Sequence, residues 1–592
     1  MFLRIVKAQG GQGVQHEYVR LVEAYREQGK NKQRTVCNLG RKDVLAAHLD
    51  DLIRLLRGAS AGTTRLRVGD VQATGAWDWG PVLVARTLWR ELGVDASLTP
   101  LGSRGRRARR PLAERALVLV ANRLCAPTSE HGLARWLETD FVCDGQGRRW
   151  LPAWRGEAER QRSRRPRVRV ADRQLQQWYR TLDQLYARQA RLEQALYLRL
   201  RDLFSLQVDL VFYDLTSTYF EGAGPPDLGA HGHSRDGKPR DPQVLVGVVM
   251  VEDWPIAHHV FRGNLRDAST VTPVLQDLES RFGVRRIVLV GDRGMVTGDN
   301  LTLLQRRGHG YLVGLNRRRN AAVSRALARA TGPWTECPGR PGAPETPATP
   351  KTYVQEVPAD EPSLRVFVVK SDERLAYERT ERAKAMARVR AELEALQRRV
   401  AQGRLKAPEK VGAAAARILG RHHGHRYYGW EYTEGVFRFF DHPETLPREE
   451  ALEGTYVLQT TEPNLTPVQA VTLYKRLSEV ERAFCSLKDV IERRPIYHQT
   501  DRRVAAHIFV AALAFLLHRA LEKKLKVAGL DLSATEALQA LRTVRVVEIR
   551  LGNGQRKRSV TRGTARAARI LAALGITDLD PPTPTEEVLR RT

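Results

Sequence analysis

Gln207–Asp214 reads QVDLVFYD, an apolar, β-branched and aromatic run that closes on a carboxylate. That texture predicts a buried strand. Upstream, Asp172–Phe204 places Trp178, Leu182, Leu185, Leu192, Leu196 and Leu200 near helical spacing, which predicts one long helix. Downstream, Gln243–Val251 and Ile256–Phe261 read as strands joined by the short turn Glu252–Pro255. Then come a helix over Asp267–Phe282, a strand over Arg286–Val290, a helix over Asn300–Arg307 and a strand over Tyr311–Leu315. The order βββαβαβ predicts an α/β fold, a mixed sheet with helices on its faces, in the layout of an RNase H-like core.

The rest of the chain is arranged around this core. Residues 1–58 read as a small β module, with strands Phe2–Lys7, Tyr18–Tyr25 and Gln33–Leu39 and a helix over Asp43–Arg57. The module is basic, which suits DNA contact as well as a plain structural meander. Residues 59–205 read as a mainly helical N-terminal region, with an apolar run at Ala116–Val120. Residues 206–315 form the first part of the core. Residues 316–465 read as a β-rich insertion domain, with a Pro/Gly-rich loop at Gly332–Pro350, a strand at Leu364–Val369 and a charged helix over Tyr377–Gln402. Aromatic strands around Arg426–Phe440 and a last strand at Thr455–Thr460 follow. Residues 466–525 return to the core, and 526–592 read as a helical tail with a proline-rich end, Pro581–Pro584.

The chain has 592 residues, 97 Lys plus Arg against 67 Asp plus Glu, a formal charge of +30 and a pI near 10.4. Such a balance calls for a polyanionic partner, DNA or RNA before an anionic membrane. Arg104–Arg110 (RGRRARR) and Arg160–Arg169 (RQRSRRPRVR) suit phosphate contacts, which position a protein without reading sequence. No signal peptide is evident at MFLRIVKAQGG. The apolar run Ile508–Leu517 is short of the ~20 residues a membrane span needs, so no membrane partner is expected. Five scattered cysteines without a CxxC pair argue against a zinc site or disulfide scaffold and fit a reducing cytoplasm.

Within Leu473–Lys488 (LYKRLSEVERAFCSLK), Leu473, Leu477, Val480, Phe484 and Leu487 make one apolar helical stripe. Tyr474, Glu481 and Lys488 recur every seven residues on another face. Alone, that face reads as solvated. Asp214 ends the first core strand and Asp292 follows the fourth. A single Asp there is ordinarily a turn former or helix cap. Three carboxylates converging on a sheet edge are instead what Mg²⁺ takes up beside phosphate oxygens. Two such ions support in-line displacement at phosphorus. Glu479 points about 200° away from Glu481 and cannot share its ligands. His231, His233, Asp236 and Asp241 lie in a loop after Asp214, as accessory ligands or simple loop residues.

The blocks YDLTSTYFEG (Tyr213–Gly222), GDRGM (Gly291–Met295) and YKRLSEVERAFCSLK (Tyr474–Lys488) resemble those of bacterial insertion-sequence transposases of the DDE class. The likeness is to the branch with a Tyr-Arg-Glu-Lys signature, insertion-sequence family four and relatives. It covers roughly 207–525, and QRTVCNLGR (Gln33–Arg41) resembles that family's leader. The resemblance implies Asp214, Asp292 and Glu481 as catalytic, metal-binding residues for two Mg²⁺ ions, with Mn²⁺ as a substitute. It implies DNA contacts from Tyr474, Arg476, Lys488 and Arg293. The signature's Arg position holds Leu477, with Arg476 beside it. Trp430 suits base stacking, as in relatives that form a DNA hairpin, and equally an ordinary buried strand aromatic. The expected activity is cleavage of transposon ends at terminal inverted repeats and joining of the 3′-hydroxyl to target DNA. The protein would act as a homodimer when synapsed on DNA, in the bacterial cytoplasm at the nucleoid. A catalytically silent DNA-binding relative and a nuclease on the same fold are the competing readings.

Overall fold

The structure is a computed structural model. It describes residues 1–9, 15–27, 29–52, 71–99, 111–151, 170–204, 210–235, 237–291, 294, 297–316, 320–339, 349–477, 496–551 and 556–582. The chain divides into two compact units, Met1–Ala76 with Val546–Thr561, and Trp77–Arg545 with Arg562–Thr592.

In the first unit, β1 (Phe2–Gln9), β2 (Gln15–Glu27) and β3 (Lys30–Arg41) form an antiparallel meander. All three expected strands are present and each is longer than expected. The following helix is Lys42–Ala47, and residues 53–57 of the expected helix lie outside the described residues. The unit also holds Gln72–Ala76 of β4 (Gln72–Asp78), a strand whose partner comes from near the other end of the chain.

The second unit begins with helices Gly80–Glu91, Leu112–Cys125 and Leu133–Thr139. Two helices, Val170–Tyr186 and Gln189–Phe204, replace the single long one expected. The chain tightens at Arg188, whose N–H bonds the Leu185 carbonyl at 2.9 Å. Each piece still buries its share of the stripe, Trp178, Leu182 and Leu185 on one and Leu192, Leu196 and Leu200 on the other.

The core strands are β5 (Leu210–Tyr219), β6 (Gln243–Val251), β7 (Trp254–Arg262), β8 (Val288–Gly291) and β9 (Gly310–Gly314). β6 is buried at every residue, as its unbroken apolar sequence requires with both faces covered. The turn before β7 sets Glu252 and Asp253 at positive φ. The expected helix from Asp267 opens as a short 3₁₀ turn, Asp267–Thr270, before the α-helix Val271–Ser280.

The stretch expected to form a separate insertion does two things. It adds β10 (Thr335–Cys337), β11 (Thr352–Val357) and β12 (Arg365–Ser371) to the same sheet. It then builds a satellite from helices Asp372–Ala401 and Pro408–Gly420 with the hairpin β13 (Tyr428–Thr433) and β14 (Val436–Asp441). This satellite has its own core around Leu393, Val411, Tyr428 and Phe437. The chain returns through β15 (Thr455–Thr460). The result is one nine-stranded mixed sheet, ordered β10-β11-β12-β15-β9-β8-β5-β6-β7. Within it β5, β8 and β9 run parallel, and β6 is antiparallel to both β5 and β7.

Helix Asp501–Val527 packs against β7 and against helices Leu112–Cys125 and Val170–Tyr186. By length and composition it could cross a membrane, contrary to the expectation that every apolar run was too short. Its apolar window is 89% buried in the fold, as befits a core helix. The tail was expected to be helical up to its proline-rich end. Helices Ala534–Leu541 and Ala565–Ala573 are present, but between them lie β16 (Arg545–Arg550) and β17 (Arg556–Val560). They pair in the order β17-β16-β4. The alternating Val547 and Ile549, with Asn553–Gly554 after them in sequence, are the hairpin signal that outweighs the helical texture on either side.

Candidate active site

Asp214 is the fifth of ten residues in β5, at mid-strand and not at its end as expected. The strand continues because Thr216, Ser217 and Thr218 are buried in full register with β6. Asp214 is half-buried, pairs across the sheet with Val248 and accepts the Leu215 N–H on Oδ1 at 2.8 Å. On its other side β5 runs parallel to β8, with Phe212 opposite Val290. β8 ends at Gly291, the residue before Asp292 in sequence. Asp292, Arg293, Glu481 and Lys488 lie outside the described residues.

Near this edge the structure adds groups that sequence did not suggest. A cavity of about 350 Å³ is lined by His233, Arg235, Asn264, Arg266, Asp267 and Gly294. Arg235 donates to Asp267 Oδ2 at 2.7 Å, and the Arg235 N–H reaches Ser217 Oγ. The phenol of Tyr213, next to Asp214, donates to Thr270 Oγ1 at 2.9 Å, and burial pushes its pKa above the ordinary range. His233 from the accessory-ligand loop therefore lines a cleft that also contains Gly294, two residues beyond Asp292. Asp236 is outside the described residues.

The helix over 467–477 docks on the sheet through Ala470, Leu473, Tyr474 and Leu477, the helical spacing read from sequence. Tyr474 packs beside Tyr456, ring centroids 5.8 Å apart, and its hydroxyl occupies the space over Gly314 where any Cβ would collide with it. Leu477, at the slot of the expected arginine, is 4% exposed in the central core with Phe212 and Leu312. Arg476 is held instead by Asp253 at 3.8 Å and by the ring of Phe212 at 5.5 Å. Trp430 lies on β13, half-buried, stacked on Phe437 with centroids 5.9 Å apart and against Gly412. It belongs to the satellite core.

Two buried polar networks tie elements of this unit together, and one of them reaches the sheet. In one, Glu193 meets His258 of β7 at 2.6 Å and also the Arg281 guanidinium, while the His258 ring stacks on Phe509 at 5.4 Å. Burial alone would raise the Glu193 carboxyl, but His258 and Arg281 hold it below the usual range. In the other, Glu130 faces His498 Nε2 at 3.3 Å and His507 Nδ1 at 3.4 Å. These donors span no more than 4.8 Å, as metal ligands would. Yet the buried Arg123 Nη2 lies 3.4 Å from the same His507 Nδ1, so the carboxylate already balances a cation. Neither network was legible in sequence, because Glu130 and His507 meet only through the fold.

The second network carries a pH prediction. Burial and the adjacent Arg123 push His507 down to about 4. The unfolded chain protonates this histidine near 6.5, roughly its free value, while the folded chain does so only near 4. The unfolded state therefore binds more protons across that window, and stability falls as pH drops through it. Glu130, Arg123 and His498 are the groups that face the ring. In the full-length chain, His507→Gln is expected to flatten the dependence of the unfolding midpoint on pH between 6.5 and 4. An unchanged slope would mean that this histidine is not kept neutral by the fold.

Residues 243–517 match the family described as transposase DDE domain, and residues 3–64 match the IS1634 family transposase N-terminal domain. No curated protein matches the chain. A mixed α/β fold bearing a DDE domain defines an enzyme that cuts DNA and transposes it. With the N-terminal match as well, the two domains support an insertion-sequence transposase of the DDE class. It is a DNA transposase of an insertion sequence; the transposase family implies binding to transposon ends, and DDE transposases generally use divalent metal ions.

Proposed function

We propose that Asp214, Asp292 and Glu481 form the metal-binding triad of an RNase H-like core, in the Tyr-Arg-Glu-Lys branch of these enzymes. The observation that carries this is the sheet order β7-β6-β5-β8-β9, with Asp214 on the central strand and β8 ending immediately before Asp292. Asp214 suits Mg²⁺ chemically, being a hard oxygen donor at a half-buried strand position. Two Mg²⁺ ions, or Mn²⁺ in their place, would supply charge neutralisation at the scissile phosphate and a more acidic attacking water. The protein's own work is positional. β5 fixes Asp214 by pairing on both edges, and the Leu215 N–H holds one carboxylate oxygen in place. Arg235 and Arg266 line the adjoining cleft and suit the DNA backbone. Tyr474 lies on the helix over 467–477 that docks on the sheet, and Glu481 and Lys488 follow it in sequence.

The reaction is hydrolysis at the transposon end, then attack of the freed 3′-hydroxyl on target DNA. Pairing of two ends favours a homodimer on DNA, acting in the cytoplasm at the nucleoid. The test is incubation of the full-length protein with Mg²⁺ and duplex carrying the element's terminal inverted repeat, then with a pre-cut 3′ end and a target plasmid. Cleavage and joining are both expected. Cleavage without joining would leave a nuclease.

A further inference from the structure

The C-terminal hairpin β16–β17 has no role in the catalytic scheme, and its chemistry is unusual for a structural ribbon. Residues 546–560 hold Arg550, Arg556, Lys557 and Arg558 against the single carboxylate Glu548. The residues Arg556–Ser559 of β17 are all exposed. Glu548 is already engaged, receiving Thr74 Oγ1 of β4 at 3.2 Å and facing Arg556 at 3.6 Å and Arg558 at 3.9 Å. The register sets Arg550 directly across from Arg556. Like charges directly opposite on paired strands destabilise the pair.

Edge protection accounts for only part of this. Lysine or arginine on an outer strand discourages edge-to-edge aggregation, which explains Lys557 on β17. It does not explain Arg550, because β16 is the middle strand, flanked by β4 and β17. A row of cations that repel one another in the free protein is relieved by a polyanion.

We propose that the β16–β17 ribbon is a DNA-binding surface, separate from the catalytic sheet, on which Arg550, Arg556 and Lys557 contact backbone phosphates of duplex DNA. Phosphate contact positions a protein without reading bases, so end-containing and unrelated duplexes are gripped alike.

The test uses the full-length chain with Arg550→Ala, Arg556→Ala and Lys557→Ala combined, titrated with end-containing duplex at several salt concentrations without divalent metal. Each lost phosphate contact lowers the slope of log K against log salt by about 0.9, so a fall of roughly 2–3 is expected. The same fall is expected on unrelated duplex. Arg550→Glu separates folding from binding: it converts the repulsive pair with Arg556 into an attractive one, so the unfolding temperature holds or rises while DNA affinity drops. An unchanged salt slope in the triple variant, or Arg550→Glu binding as tightly as the unaltered protein, would overturn the proposal. Because no cleavage is measured, the outcome is independent of the triad assignment.

Discussion

Asp214→Asn is expected to lose Mg²⁺-dependent cleavage of transposon-end DNA by about 10³-fold or more while still binding that DNA. Metal-assisted stabilisation of a phosphoryl transition state is worth several kcal/mol, and three decades in rate correspond to about 4 kcal/mol. Asparagine keeps the shape of the side chain and an oxygen that can take the Leu215 N–H, so the strand survives. What is lost is the negative charge on the donor. Binding of duplex in the absence of metal should match the unaltered protein. Cleavage by the variant at an unaltered rate would remove Asp214 from the triad. Weakened binding without metal would point to a folding defect, which the unfolding temperature would expose.

Glu193→Ala is expected to destabilise the second unit by about 3–5 kcal/mol, the usual cost of stripping one partner from a buried charge network. The carboxylate ties helix Gln189–Phe204 to His258 on β7 and to Arg281 after the next helix. Without it, His258 loses its carboxylate partner at a site only 3% exposed, and Arg281 keeps the Asp277 carboxylate and the Ala190 carbonyl. Glu193→Gln retains the shape and some hydrogen bonding, so its loss should be smaller. Urea unfolding followed by tryptophan fluorescence reads both variants, since Trp178 and Trp254 are buried in the same unit. If Glu193→Ala unfolds at the same denaturant concentration as the unaltered chain, the network does not carry stability.

Period-2 and period-3.6 patterns were enough to locate the core strands, because each buries a face whose residues must be apolar. The same logic placed Leu473 and Leu477 on the docking stripe, where both pack. It could not place Asp214 within its strand. Polar Thr216, Ser217 and Thr218 look like a turn, and only pairing with β6 makes them strand. The tail was misread because a five-residue basic strand, Arg556–Val560, has little strand propensity of its own. It becomes a strand because β16 is there to pair with it. Networks such as Glu193 with His258 and Arg281 leave no local signature, since each member alone is an ordinary polar residue.

The pairing of β4 with β16 has a consequence in time. Strand β4 is made early in synthesis, and its partner follows more than four hundred residues later. At about 5–20 residues per second that interval is roughly 20–90 s. For all of it, one edge of β4 waits for a partner that the ribosome has yet to deliver. A chain cut short before Arg545 can carry every proposed catalytic residue and still lack the strand that β4 was built to join. Closure of this sheet thus waits until synthesis has passed Arg550, a delay written into the topology.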